Sequence, residues 1–189
     1  MRACRACADR FAATATAHAP RPVLRGGPEA RILIAGQAPG ARVHASGLPF
    51  DDPSGDRLRD WLGVDRATFY DETLFATAPM AFCFPGYDAR GADLPPPPLC
   101  ARLWRARLLA AMPRIALTVL VGAHAIRWTL GDQAAGPISE TVRNWRRWFP
   151  AALPTPHPSW RNTAWLKRNP WFEAETVPAL RARVAALLR

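Results

Sequence analysis

The sequence predicts an α/β protein, a three-layer α/β/α sandwich around a central, mainly parallel sheet of four strands. Three observations point there. The runs Ile32–Ala35 and Leu117–Val121 are apolar without alternation, as strands covered on both faces are. Segments with helical spacing separate the strand candidates, which is the pattern of parallel strands joined by crossover helices. The 189 residues, 49% hydrophobic and 21% charged, suit one core, hence a single domain over residues 1–189.

The elements follow in chain order. Ile32–Ala35 ends in Gly36 and opens a loop, residues 37–53, punctuated by Gly and Pro. Ser54 is a candidate N-cap for a helix that carries Leu58, Trp61 and Leu62 on one face. Residues 73–81 form a second strand candidate. Residues 84–99 contain Pro85 and the run Pro95, Pro96, Pro97 and Pro98, so they read as a stiff loop. A helix over about residues 99–112 places Leu103, Ala106, Leu109 and Ala110 near one face. The third strand, Leu117–Val121, leads to a helix opened by Gly122 and closed by Gly131. After an irregular stretch and an Arg/Trp-rich segment at Trp145 to Trp148, residues 153–156 form a short strand that ends at His157. The last helix, about residues 173–188, docks through Leu180, Val184 and Leu187. Ligands of such folds sit at the carboxyl ends of the strands, which singles out residues 36–53 and 157–162.

Charge narrows the partners. The chain carries 25 Lys and Arg against 15 Asp and Glu, a formal +10, with Lys167 the sole lysine. Such an excess favours a polyanion, nucleic acid first. There is no run of eighteen apolar residues and no apolar segment behind Met1-Arg2-Ala3-Cys4, so a cytoplasmic protein without membrane association is expected. Four cysteines are spaced C-x2-C at Cys4 and Cys7, then C-x16-C at Cys83 and Cys100. In a cytoplasmic chain that count suits a metal, either zinc or an iron–sulfur cluster, better than disulfides.

The order of motifs carries more than any one of them. Gly36-Gln37-Ala38-Pro39-Gly40 follows a strand, Gly47-Leu48-Pro49-Phe50 comes ten residues on, Ser54-Gly55-Asp56 follows, and His157-Pro158-Ser159 comes after a late strand. Together with the cysteines, this series resembles the uracil-DNA glycosylase superfamily, in particular its iron–sulfur branch, from Cys4 to about Phe172. The resemblance implies a structural [4Fe-4S] cluster on Cys4, Cys7, Cys83 and Cys100. It also implies a DNA repair enzyme that flips uracil out of single- or double-stranded DNA, hydrolyses the N-glycosidic bond and leaves an abasic site. A monofunctional enzyme acting as a monomer is expected.

Roles follow residue by residue. Extracting a base from the stack calls for an aromatic face and a polar edge to receive it. Phe50 is the matched ring, with Gly36, Gln37 and Ala38 around the base. Bond cleavage leaves negative charge on the base, so a donor aimed at a base oxygen is required, and the H-P-S motif assigns that role to His157. Pro39, Gly40, Ser159, Trp160, Arg161 and Asn162 are the expected DNA contacts, Trp160 or Arg161 being the wedge that fills the vacated stack.

Two departures from the family pattern stand out. The acid many members carry in the first motif is replaced by Gln37 and Ala38, so Asp52, and after it Asp51, are the candidates for orienting water. The asparagine that precedes the third cysteine in relatives is missing, which leaves Gln37 or main-chain groups to read the base edge. His44 stands where an acid is usual and raises a covalent attachment to the abasic sugar as one alternative. A binding module without turnover, and a metal-bearing nucleic-acid binder without base chemistry, are the others.

Overall fold

The computed structural model describes residues 1–134 and 136–189. Four strands form one all-parallel sheet in the order β2-β1-β3-β4: β1 (Ile32–Ala35), β2 (Phe75–Thr77), β3 (Leu117–Val121) and β4 (Ala152–Thr155). The register pairs Ile32 with Phe75 on one side and with Leu117 on the other, and Val119 with Leu153. All four side chains of β1 are buried, as a central parallel strand requires. Ile32 and Ile34 join a large cluster containing Leu58, Trp61 and Leu62 of α3 (Pro53–Leu62) and Leu180 and Val184 of α9 (Val177–Leu188). Leu33 points the other way, into a smaller cluster with Ala76, Phe82 and Met112, against which Trp104 and Leu108 of α5 (Pro98–Ala110) pack. That alternation is what makes three layers. Removing a fully buried side chain such as Leu180 costs about 2–5 kcal/mol.

Several elements differ from expectation for identifiable reasons. The second strand is short because Pro79 cannot continue the ladder; beyond it, Met80 N donates to Gly36 O (2.9 Å) and Ala81 N to Gln37 O (3.1 Å). Asp52, not Ser54, caps α3, since Pro53 suits the first helical position and so makes the preceding residue the cap. The buried face of α5 is Ala101, Trp104, Arg105 and Leu108, whereas Leu103 and Leu109 lie exposed. Arg105 drives that choice: its guanidinium donates to Ala78 O at 3.1 Å, and burial lowers its pKa to about 10. The loop after β1 contains a helix, α2 (Ala41–Ser46), closed by Gly47 at φ +73°. Short helices α1 (Ala8–Ala12), α4 (Arg66–Phe69), α6 (Ala123–Leu130), α7 (Ile138–Arg143) and α8 (Thr163–Arg168) complete the chain. Among the described residues no helix is long and apolar enough to cross a membrane.

Candidate active site

Three segments meet at the carboxyl ends of the strands and enclose a cleft of about 650 Å³, within the size range of small-ligand sites. The first segment, after β1, places Gly36, Gln37, Ala38, Pro39 and Gly40 on its lining together with Phe50 and Asp52. Phe50 adopts φ +55°, a costly conformation for a bulky residue. Its surroundings enforce it. Tyr70 Oη donates to Pro49 O (2.8 Å), and Arg59 Nη1 donates to Phe50 O (3.5 Å). The Phe50 ring meets Phe69 edge-on at 6.2 Å between centroids. Gly55 leaves the space the backbone needs, because a Cβ there would stand 1.9 Å from Phe50 O. The ring is therefore a fixed face, with Gly36 beside it.

The second segment follows β4. His157 is held by Asn162 Nδ2, which donates to His157 O (2.7 Å), and by Ser159 N, which donates to His157 Nδ1 (3.2 Å). An amide N–H can donate only to a lone pair, so this bond assigns the neutral tautomer with its proton on Nε2. Burial lowers the pKa of His157, with Asp52 and then Asp93 opposing and Arg161 assisting. Arg57 of α3 ties the loop down through Ser159 O (3.1 Å) and Thr163 Oγ1 (3.4 Å). Ser159, Trp160 and Arg161 reach the rim, and Trp160 is 76% exposed.

The third segment is the proline-rich loop. Pro85, Ala92, Asp93 and Leu94 form its share of the lining. Asp88 Oδ1 accepts from Arg90 N (2.8 Å) and Ala92 N (2.9 Å), Leu94 N donates to Gly86 O (2.9 Å), and Tyr87 bridges Asp93. The loop is a compact hook, not a tether.

Apart from the cysteines, most of the catalytic and binding candidates singled out from sequence thus share one cleft, and three do not. Asp51 is turned to Arg66 (2.8 Å), whose guanidinium holds its carboxyl below the usual range, and it does not line the cleft. Asn162 stands behind His157. His44, on α2, packs edge-on against His18 at 5.1 Å between ring centroids, away from the cleft lining. Sequence reasoning missed Thr77 and Asp93. Thr77 ends β2, so the rule about strand ends could have found it, whereas nothing periodic marks Asp93.

The cysteines form a separate place. Cys4, Cys7, Cys83 and Cys100 all line one apolar cavity with Phe11, Phe82 and Trp104. Cys100 Sγ accepts from Phe82 N and Cys4 Sγ from Trp104 Nε1, each at 3.4 Å. Burial, and then Cys100, push the Cys83 thiol up to about 12; burial raises Cys7 and Cys100 too. Among the described residues, no group of three or more His, Cys, Asp or Glu side chains is gathered so as to hold one metal ion.

Comparison with known families agrees with this geometry. The family model described as the uracil DNA glycosylase superfamily matches residues 24–181, most of the chain and every lining residue of the cleft but Val23. An all-parallel four-stranded sheet with a cleft at its carboxyl edge, matched over that span, makes this chain a member of the uracil DNA glycosylase superfamily.

Proposed function

We propose that this member is a monofunctional uracil-DNA glycosylase that leaves an abasic site. One observation carries the reading: His157, whose Nδ1 accepts from Ser159 N and whose proton therefore sits on Nε2, lines the same cleft as the fixed Phe50 ring. Uracil flipped into the cleft stacks on Phe50 and receives the Nε2–H on a ring oxygen. As the glycosidic bond breaks, negative charge grows on that oxygen and the hydrogen bond strengthens, a contribution of about 10²–10³ in rate. Gln37 takes the place of the missing asparagine. The neighbouring Met80 and Ala81 amides are consumed by Gly36 O and Gln37 O, while the Gln37 carboxamide offers one donor and one acceptor, matching O4 and N3–H of uracil. Trp160 and Arg161 enter the DNA and occupy the vacated position in the stack.

Cys4, Cys7, Cys83 and Cys100 hold a [4Fe-4S] cluster in this reading. Support comes from the donor set: four thiols on one apolar cavity, with N–H groups directed at two of the sulfurs. When bound, the cluster crosslinks the N-terminal segment to both ends of the proline-rich loop.

A binding module without turnover is the second reading, favoured by the absence of an acid at Gln37 and Ala38. Oligonucleotides carrying a single uracil, single- and double-stranded, separate the two. Alkali-labile breaks at uracil without a protein–DNA adduct support the hydrolytic enzyme. Intact strands with uracil-dependent retention support the module, and an adduct on a denaturing gel supports covalent attachment.

A further inference from the structure

Three carboxylates lie near the cleft, and the structure gives them different duties. Asp51 is outside it, paired with Arg66. Asp52 lines it but serves α3: its Oδ1 accepts from the Ser54 hydroxyl (2.5 Å) and from Gly55 N (3.1 Å). An N-cap of this kind contributes about 1 kcal/mol, and its geometry is set by the helix. Asp93 has no such duty. It is exposed on the cleft lining, and no side-chain hydrogen bond or ion pair engages it among the described residues. Yet its backbone is fixed, by the bridge to Tyr87 and by Leu94 N on Gly86 O.

The geometry points to Asp93 as the carboxylate that holds and deprotonates the attacking water. This rests on the glycosylase reading above. The C1′–N bond breaks with its electron pair leaving on the base, where His157 Nε2–H stabilises the anion. The water oxygen bonds to C1′ as one of its protons passes to the Asp93 carboxylate, which later releases it to solvent. The departing anion takes up a proton from solvent, so that uracil and an abasic sugar result and water is the only co-reactant. Asp93 and Asp52 line the same cleft as His157, and the charge of each favours a protonated imidazole there. An exposed side chain without hydrogen-bond or ion-pair partners among the described residues, on a backbone held by hydrogen bonds, suits a group that must engage the water and the sugar. The hook also explains how a chain without an acid at Gln37 and Ala38 can hydrolyse: the acid enters the cleft from the opposite side of the sequence motif, on the loop between Cys83 and Cys100.

The test is single-turnover release of uracil from a uracil-containing oligonucleotide by wild-type protein, Asp93→Asn and Asp52→Asn, with DNA affinity measured separately at fixed salt. Asp93→Asn keeps the size of the side chain at an exposed position and leaves the fold intact. The expected result is a rate loss of about 100-fold or more at unchanged affinity. Its pH–rate profile should also lose the fall on the acid side that a protonating base produces in the wild type. His157, Asp52 and Arg161 face the same space, so the profile of Asp52→Asn is the control: it keeps that fall, and because asparagine caps a helix as well as aspartate does, its thermal midpoint stays near wild type. An Asp93→Asn enzyme as fast as wild type, or one that keeps the acid-side fall, overturns the assignment. Wild-type protein that releases no uracil overturns the glycosylase reading itself, and the Asp93 role with it.

Discussion

The two walls of the cleft are held in place by different means. The Phe50 wall is fastened to the folded core: Tyr70 and Arg59 grip its carbonyls, Phe69 supports the ring, and Gly55 admits its backbone. The Asp93 wall is held largely through its own backbone, with Gly86 at its base packed on Thr14 and Thr16. It is a hook of backbone hydrogen bonds whose two ends run to Cys83 and Cys100 in the cysteine cavity. The difference teaches that the aromatic face is prepared by packing, while the proline-rich loop is shaped by its own hydrogen bonds and ends at the cysteine cavity. Local stability therefore differs across a single site.

Substitutions can break this contrast in a graded order. The largest effect belongs to His157→Ala, which leaves both walls and removes the donor between them; base release should fall about 10²–10³-fold with DNA affinity little changed, read by single-turnover kinetics. Cys83→Ser attacks one wall only. It should abolish absorbance near 400 nm in anaerobically purified protein, lower the thermal midpoint by roughly 5–10 °C, the shift that 2–3 kcal/mol produces in a domain this size, and expose residues 84–99 to proteolysis. Gly55→Ala attacks the other. Its Cβ collides with Phe50 O, so a stability loss of about 1–3 kcal/mol should accompany weakened uracil binding, with the 400 nm band retained.

Acid sharpens the contrast further. The folded pKa of His157 lies below its usual 6.5, so the unfolded chain takes up a proton there first. Stability contributed through this residue is thus constant above about pH 6.5, falls as pH drops below it, and levels off once the folded pKa is passed; His44 and His124 act in the same direction. Denaturant midpoints across pH 5–8 should show that slope, and His157→Gln should reduce it. The smallest effect is expected for Asp51→Asn, which breaks the pair with Arg66 outside the cleft and should leave base release within about twofold of wild type.

How much of this could be read from sequence depends on what encodes each part. β1 and β3 were legible because a strand buried on both faces is apolar at every position. The end of β2 was not, since Pro79 is a weak signal inside an apolar stretch. The buried face of α5 was misread because Arg105, the residue that sets it, counts as polar in any periodicity and is nevertheless buried against a carbonyl. In the site, Phe50 and His157 stand inside recognisable motifs. Asp93 does not: its place depends on how a loop of 16 residues folds back between two cysteines, a long-range property that no local pattern carries.

The order of the strands also governs when, during synthesis, the molecule becomes competent. β3 and β4 are the last strands to leave the ribosome, and His157 follows β4. Parallel pairing closes a long loop at every step, so the sheet forms only after distant segments have emerged. A chain interrupted near residue 150 carries the Phe50 ring, Asp93 and all four cysteines, and lacks the imidazole. On the role proposed for His157, unfinished copies lack the donor to the base, which arrives only with the final fifth of the chain.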